Sequence, residues 1–257
     1  MPLLPPERAV DLSGVGVHRE RNPAETPLPF NAAVARPVGR KERDSTPGAL
    51  EAVAKEWARL RSIKHKDGVG VWDESKVEEK WKVARDADRS GVLVHFARIF
   101  DLCVEKGSEL PPGDKDRKFK GRAVIQGDQM RDQNWEAALF QDLSSSPAAM
   151  EASRAADAYG MLPGHDIEVA DADSAYTQSY LDGPVRTWVS IPREQWPQEW
   201  IDRDLRDPVC PLVLSLYGHP DAGGFWERHC DNKLIESGVQ FIGENLRSCY
   251  WHQELGL

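Results

Sequence analysis

VLVHFARIFDLCVEKGSELPPGDKDRKFKGRAVIQ, residues 92–126, holds two runs rich in branched and aromatic residues, 92–105 and 118–126. Such side chains fit a pleated surface better than a helix. Between the runs, Pro111-Pro112-Gly113-Asp114 supplies turn chemistry, because proline presets φ, glycine frees it and aspartate bonds its own backbone. The two runs are therefore predicted to pair as an antiparallel hairpin.

Upstream, Thr46-Pro47 is a helix cap followed by a first-turn proline, and Leu50, Val53, Ala54, Trp57 and Leu60 recur at helical spacing. A second helix is predicted from Asp73, with Val77, Trp81 and Ala84 as its apolar stripe, Glu78, Glu79, Lys80 and Arg85 toward water, and Ser90-Gly91 as its end. Residues 1–45 carry prolines at 2, 5, 6, 23, 27, 29 and 37 without a sustained period and read as a flexible tail.

Downstream, Ser146-Pro147 repeats the cap-and-proline signal for a helix through Met150, Arg154 and Tyr159 that stops near Gly160. Residues 167–170 read as a short strand leading into Asp171, and 186–191 alternate as a half-buried strand, with a hairpin around Asp182-Gly183 between them. A last helix is predicted from about Pro220 to Ser237, with Trp226, Cys230 and Leu234 in one stripe and Gly238 as its stop, followed by edge strands. Helices and strands in mixed order give an α+β class, an antiparallel sheet with packed helices. No internal repeat is present.

A chain of 257 residues that is 40% hydrophobic with nine tryptophans can build a real core. The net charge of -9 argues against a protein that coats nucleic acid, although it allows a local basic strip. Cys103, Cys210, Cys230 and Cys249 have no paired spacing, so a reducing compartment is expected rather than a disulfide framework. The opening Met1–Glu7 is too short and proline-broken for a signal peptide, and no run approaches a membrane span. The chain is expected to be soluble and intracellular, cytoplasmic or nuclear, and not secreted.

Residues 115–122 place five basic groups in eight positions. On a strand, Lys118, Lys120 and Arg122 share one face, three cations in a row that suit a triphosphate or a nucleic-acid backbone. The same pattern also suits a solvated hairpin face. Asp171, at the end of its predicted strand, is placed to hold a hard cation such as Mg²⁺, while a turn or helix cap made by Asp171 or Asp173 is the alternative. His229, Cys230, Cys249 and His252 contain the donor types of a zinc site, but neighbouring ligands on a helix diverge, and a core role for Cys230 is the better account. The chain has no phosphate-binding Gly-x-x-x-x-Gly-Lys loop, no Gly-x-Ser-x-Gly elbow and no His-Glu-x-x-His pair.

Taken in order, these segments resemble the reverse transcriptase of copia-type long-terminal-repeat retrotransposons, over roughly residues 48 to 257. Lys118 to Gly127 is similar to that family's Lys-x-Lys-x-Arg-Leu-Val-x-x-Gly strand of the fingers. Asp171 to Tyr176 resembles the Asp-x-x-x-Ala-aromatic pattern of polymerase motif A, and Asp182-Gly183, Trp188 and Pro192 continue it. Leu214-Ser215-Leu216-Tyr217-Gly218, followed by Ala222 and Trp226, is similar to the stretch Leu-x-x-Ser-Leu-Tyr-Gly-Leu-x-Gln-Ala-Pro-x-x-Trp. Asp221 stands where glutamine is usual and Gly223 where proline is usual.

The resemblance implies the fingers and partial palm of a right-hand polymerase, with a tail over 1–45, fingers over 46–165 and an incomplete palm over 166–257. It implies Asp171 and the Ala172 carbonyl as ligands of catalytic Mg²⁺, and Lys118, Lys120 and Arg122 on the triphosphate of a dNTP. Tyr176 becomes the ring that excludes a ribose 2′-hydroxyl, and Gly218 and Asp221 meet the template. The implied partners are an RNA or DNA template-primer, dNTPs, and palm and thumb segments of the same polyprotein; no membrane is involved. The family's Tyr-x-Asp-Asp hairpin would follow a segment like residues 247–252, and the chain ends at Leu257, so primer extension by this chain is expected to be nil. A non-catalytic nucleic-acid-binding remnant and an inert relic are the alternatives.

Overall fold

The computed structural model describes residues 35–65, 67–140, 147–243 and 246–254. Strand β1 (Ala35–Pro37) and helix α1 (Arg40–Ser45) lead into α2 (Pro47–Ser62); β2 (Glu78–Glu79) precedes α3 (Lys80–Ser90). Then come β3 (Val94–Lys106), β4 (Lys118–Ile125), β5 (Arg131–Asp132) and α4 (Met150–Gly160). They are followed by β6 (Arg186–Ser190), α5 (Gln198–Asp202), β7 (Pro208–Pro211), α6 (Ala222–Glu236), β8 (Gln240–Phe241) and β9 (Tyr250–Trp251).

The predicted hairpin is the spine of the sheet. β3 and β4 run antiparallel from Ile99 opposite Ile125 to Lys106 opposite Lys118. With 13 residues, β3 extends roughly 43 Å, long enough to carry different neighbours along its length. Its second half pairs with β4 and β1; its first half pairs with β5 and, in parallel, with β6, which passes the sheet on to β7 and β2. The other described pairings are antiparallel, and the class is α+β. β3 and β6, far apart along the chain, are thus parallel sheet neighbours.

Helix α2 lies on β4 where the strand has no side chain: a Cβ on Gly121 would sit 2.5 Å from the Ala52 carbonyl oxygen. Ala49, Val53, Trp57 and Leu60 of α2 are buried there. Trp57 meets Trp72 edge-on at 5.6 Å and donates its Nε1–H to Asp101 at 2.7 Å. Leu50 and Ala54, assigned to the stripe from spacing alone, instead face solvent. The buried face is turned by about one residue, because close approach at Gly121 selects Ala49 and Val53, and this brings Glu56 inward.

Several boundaries differ from expectation. The tail does not reach residue 45: Arg36 pairs with Glu105 at 2.7 Å and Arg43 with Asp101 at 3.2 Å, so ion pairs and a strand pairing, which leave no apolar period, order residues 35–45. Asp73 caps a single 3-10 turn, accepting the Ser75 N–H at 3.1 Å, and α3 begins only at Lys80 with Val83, Ala84 and Ala87 buried. Trp81 is exposed, with the Arg85 guanidinium 5.0 Å from its ring centre. Gly91 ends α3 at φ 66, as expected.

Helix α4 starts at Met150 and stops at Gly160; Ser146, its predicted cap, lies outside the described residues. Residues 167–170 form no strand, and Val169 is 94% exposed. No Asp182-Gly183 hairpin joins them to β6, since β6 takes β3 and β7 as its neighbours. In α6 only Ala222 is fully buried, leaving Trp226, Cys230 and Leu234 half-buried. No helix among the described residues is long and apolar enough to cross a membrane.

Candidate functional site

Alternation along β4 places Lys118, Lys120 and Arg122 on one face, opposite Lys106, Val104 and Leu102 of β3. Lys118 is exposed, while Lys120 and Arg122 are half-buried. Neither lysine forms an ion pair with a described residue. Burial, then the neighbouring charges of Arg122 and Lys106, push the Lys120 ammonium below its ordinary value. Cations crowded this way repel one another and gain from an anion placed among them.

The end of β4 is splinted to the loop before α6. The Ile125 N–H donates to the Tyr217 carbonyl at 2.7 Å. Gly218 has φ +88, and any side chain there would overlap the Ile125 carbonyl, so only glycine fits. The Tyr217 ring consequently lies beside the basic strip, with the Arg122 guanidinium 5.7 Å from its centre. Tyr176 also meets this ring, edge-on with ring centres 4.6 Å apart.

Tyr176 sits in a 3-10 turn, Ala175–Gln178. The Ser215 N–H donates to the Ser179 carbonyl at 2.9 Å, and the two serine hydroxyls are joined at 3.1 Å. The structure thus brings together Lys120, Arg122, Tyr176 and Gly218, four of the residues picked out from sequence. A guanidinium, an ammonium and two phenol rings on one surface are complementary to phosphate oxygens beside a sugar or base.

Other members of the cluster had not been assigned a role. Arg59 of α2 donates from Nε and Nη2 to the buried Glu56 carboxylate at 2.9 and 3.0 Å, and from Nη1 to the Ser174 hydroxyl at 2.6 Å. Arg122 lies 3.7 Å from the same carboxylate. The Glu56–Arg59 spacing was visible along the chain, but nothing local connects Arg59 to a serine 115 positions away. Tyr217 was visible as a motif residue without a function of its own.

The remaining expectations fare differently. Asp171 and Ala172 are exposed, outside any strand, because 167–170 find no sheet neighbour to fix them. Among the described residues no three His, Cys, Asp or Glu side chains converge as a metal would need, which also disposes of the His229, Cys230, Cys249 and His252 set. A pair of Mg²⁺ ions asks for several fixed oxygen donors, and one exposed carboxylate does not fit it. The Asp173 main-chain carbonyl accepts from Gln178 Nε2 at 2.7 Å, and the 3-10 turn after it has no side-chain cap.

Asp221 lines a cavity of about 460 Å³ together with His95, Phe140, Thr187, His219 and Arg228, none of them a β4 cation. Its N–H donates to His219 Nδ1 at 3.2 Å, so Nε2 carries the proton and donates to Thr187 Oγ1 at 3.0 Å. Burial, reinforced by His95, pushes the His219 pKa down to about 4.

No protein-family model matches the chain, and no curated protein or solved structure matches it either.

Proposed function

We propose that residues 46–257 are the fingers and part of the palm of a reverse-transcriptase-type polymerase, and that the chain binds the triphosphate of a deoxynucleotide through the β4 face without itself transferring a nucleotide. The observation that supports this most is the run Arg122, Tyr217, Tyr176 at 5.7 and 4.6 Å beside Lys120. Charge-assisted hydrogen bonds contribute about 1.5–3 kcal/mol each, so two cations suffice for a measurable nucleotide affinity. Tyr176, at the sugar end, is the group that would disfavour a ribose 2′-hydroxyl. Among the described residues no group of metal ligands converges, which supports binding without nucleotidyl transfer.

A second reading is favoured by Lys118, which extends the strip past Lys120 onto open surface: the same face could take the phosphates of a nucleic-acid strand. Calorimetric titration of the full chain with dATP in Mg²⁺ buffer, alongside primer extension, tests both. Binding without extension is expected, weakened about tenfold in Arg122→Ala. No dATP binding at low salt overturns the nucleotide reading, and extension abolished by Asp171→Asn overturns the non-catalytic part.

A further inference from the structure

We infer that Arg59 is a positioning residue: bridging Glu56 of α2 to Ser174, it holds the Tyr176 turn in place and so sets how well the face distinguishes deoxyribose from ribose. This rests on the nucleotide-binding reading above and adds to it the element that controls sugar selectivity.

The Arg59 guanidinium is held in one orientation by its protein partners. Nε and Nη2 are spent on the two Glu56 oxygens and Nη1 on Ser174 Oγ at 2.6 Å. These three bonds use three of the five guanidinium N–H groups and fix its plane between Glu56 and Ser174. Arg122, whose one ion pair among the described residues is to Glu56 at 3.7 Å, is the freer cation. The two arginines therefore divide the work, one facing ligand and one holding the site.

Ser174 is where holding is needed. It has φ +56, a conformation that L side chains other than Asn and Asp rarely adopt without compensating contacts. Its carbonyl takes both the Thr177 N–H at 3.0 Å and the Thr177 hydroxyl at 2.9 Å, so the turn carrying Tyr176 is built on Ser174. The far end of that turn is fixed through Ser179 to Ser215. The near end follows exposed residues 166–173, and the Arg59 bond ties it to the core. Without that bond Ser174 is free to relax to negative φ, and Tyr176 loses its station beside Tyr217.

Ser174→Ala tests this more cleanly than a change at Arg59, which would release Glu56 toward Arg122. The full-length chain is titrated with dATP, ATP and inorganic tripolyphosphate, and exchange of the Thr177 and Ser179 amides is followed without nucleotide. In Ser174→Ala the preference for dATP over ATP is expected to collapse toward unity while tripolyphosphate affinity stays within about twofold, and both amides exchange faster. Ser174→Asn, which tolerates positive φ and keeps an acceptor for Arg59, restores the preference. An unchanged preference in Ser174→Ala overturns the inference. If the wild-type chain binds none of the three probes, the nucleotide reading fails and the sugar-selectivity claim falls with it. Amide exchange unchanged in Ser174→Ala then overturns the positioning role too, whereas faster exchange sustains it.

Discussion

Gly218 lies so close to Ile125 that any side chain on it would overlap the Ile125 carbonyl oxygen, while the peptide ahead of it accepts the Ile125 N–H at 2.7 Å. This approach welds the loop before α6 to the last residue of the basic strand and fixes Tyr217 against Arg122.

Gly218→Ala is therefore expected to lower stability by about 2 kcal/mol or more, combining strain at φ +88 with backbone overlap. Gly39→Ala, with nothing within 4 Å of its added methyl, is the control, losing only the glycine preference at the α1 N-cap, about 0.5 kcal/mol. Urea denaturation of both variants gives the comparison.

Trp57 and Trp81 separate buried from exposed aromatic surface. Trp57 is 1% exposed and hydrogen-bonded to Asp101, whereas Trp81 is 59% exposed. Trp57→Ala should cost about 3–5 kcal/mol through the cavity and the broken hydrogen bond, and Trp81→Ala about 0.5 kcal/mol. Equal effects in thermal unfolding would contradict the packing of α2 on the sheet.

Binding to a single-stranded oligonucleotide, where present, should fall steeply with salt. The Lys118→Ala, Lys120→Ala double variant is expected to flatten the plot of log affinity against log salt by roughly one unit for each phosphate that a lysine no longer neutralises. A wild-type slope near zero would remove the strand-binding reading.

His219 makes stability depend on pH in a definite direction. Its folded pKa of about 4 lies below the ordinary histidine value, so the unfolded chain binds protons that the folded chain refuses. Stability is full above about pH 6.5, declines as pH falls toward 4 and levels off below, a decrease from this group of up to about 3 kcal/mol. His95, also pushed down by burial, acts in the same sense. His219→Gln, keeping a donor toward Thr187, should show a smaller drop in melting temperature between pH 7 and 5; an equal drop would assign the effect elsewhere.

Local pattern carried much of the architecture. The hairpin of β3 and β4, the proline-started α2, the Gly91 stop, strand β6 and the body of α6 were all legible, since each depends on periodicity, turn chemistry or a cap within a few residues. Period-2 geometry alone also put Lys118, Lys120 and Arg122 on one face.

Wherever the energy came from distant residues, local pattern failed. Residues 35–45 are ordered by Arg36 to Glu105 and Arg43 to Asp101, and residues 167–170 lack the sheet neighbour that would make them a strand. The candidate site shows the same division. The sequence by itself determined the α+β class and the row of cations on β4. Only the tertiary structure decided that Arg59 reaches Ser174 and that Tyr217 meets both Arg122 and Tyr176, because long-range hydrogen bonds and ring packing are set by where folded surfaces meet, and chain spacing does not encode that meeting.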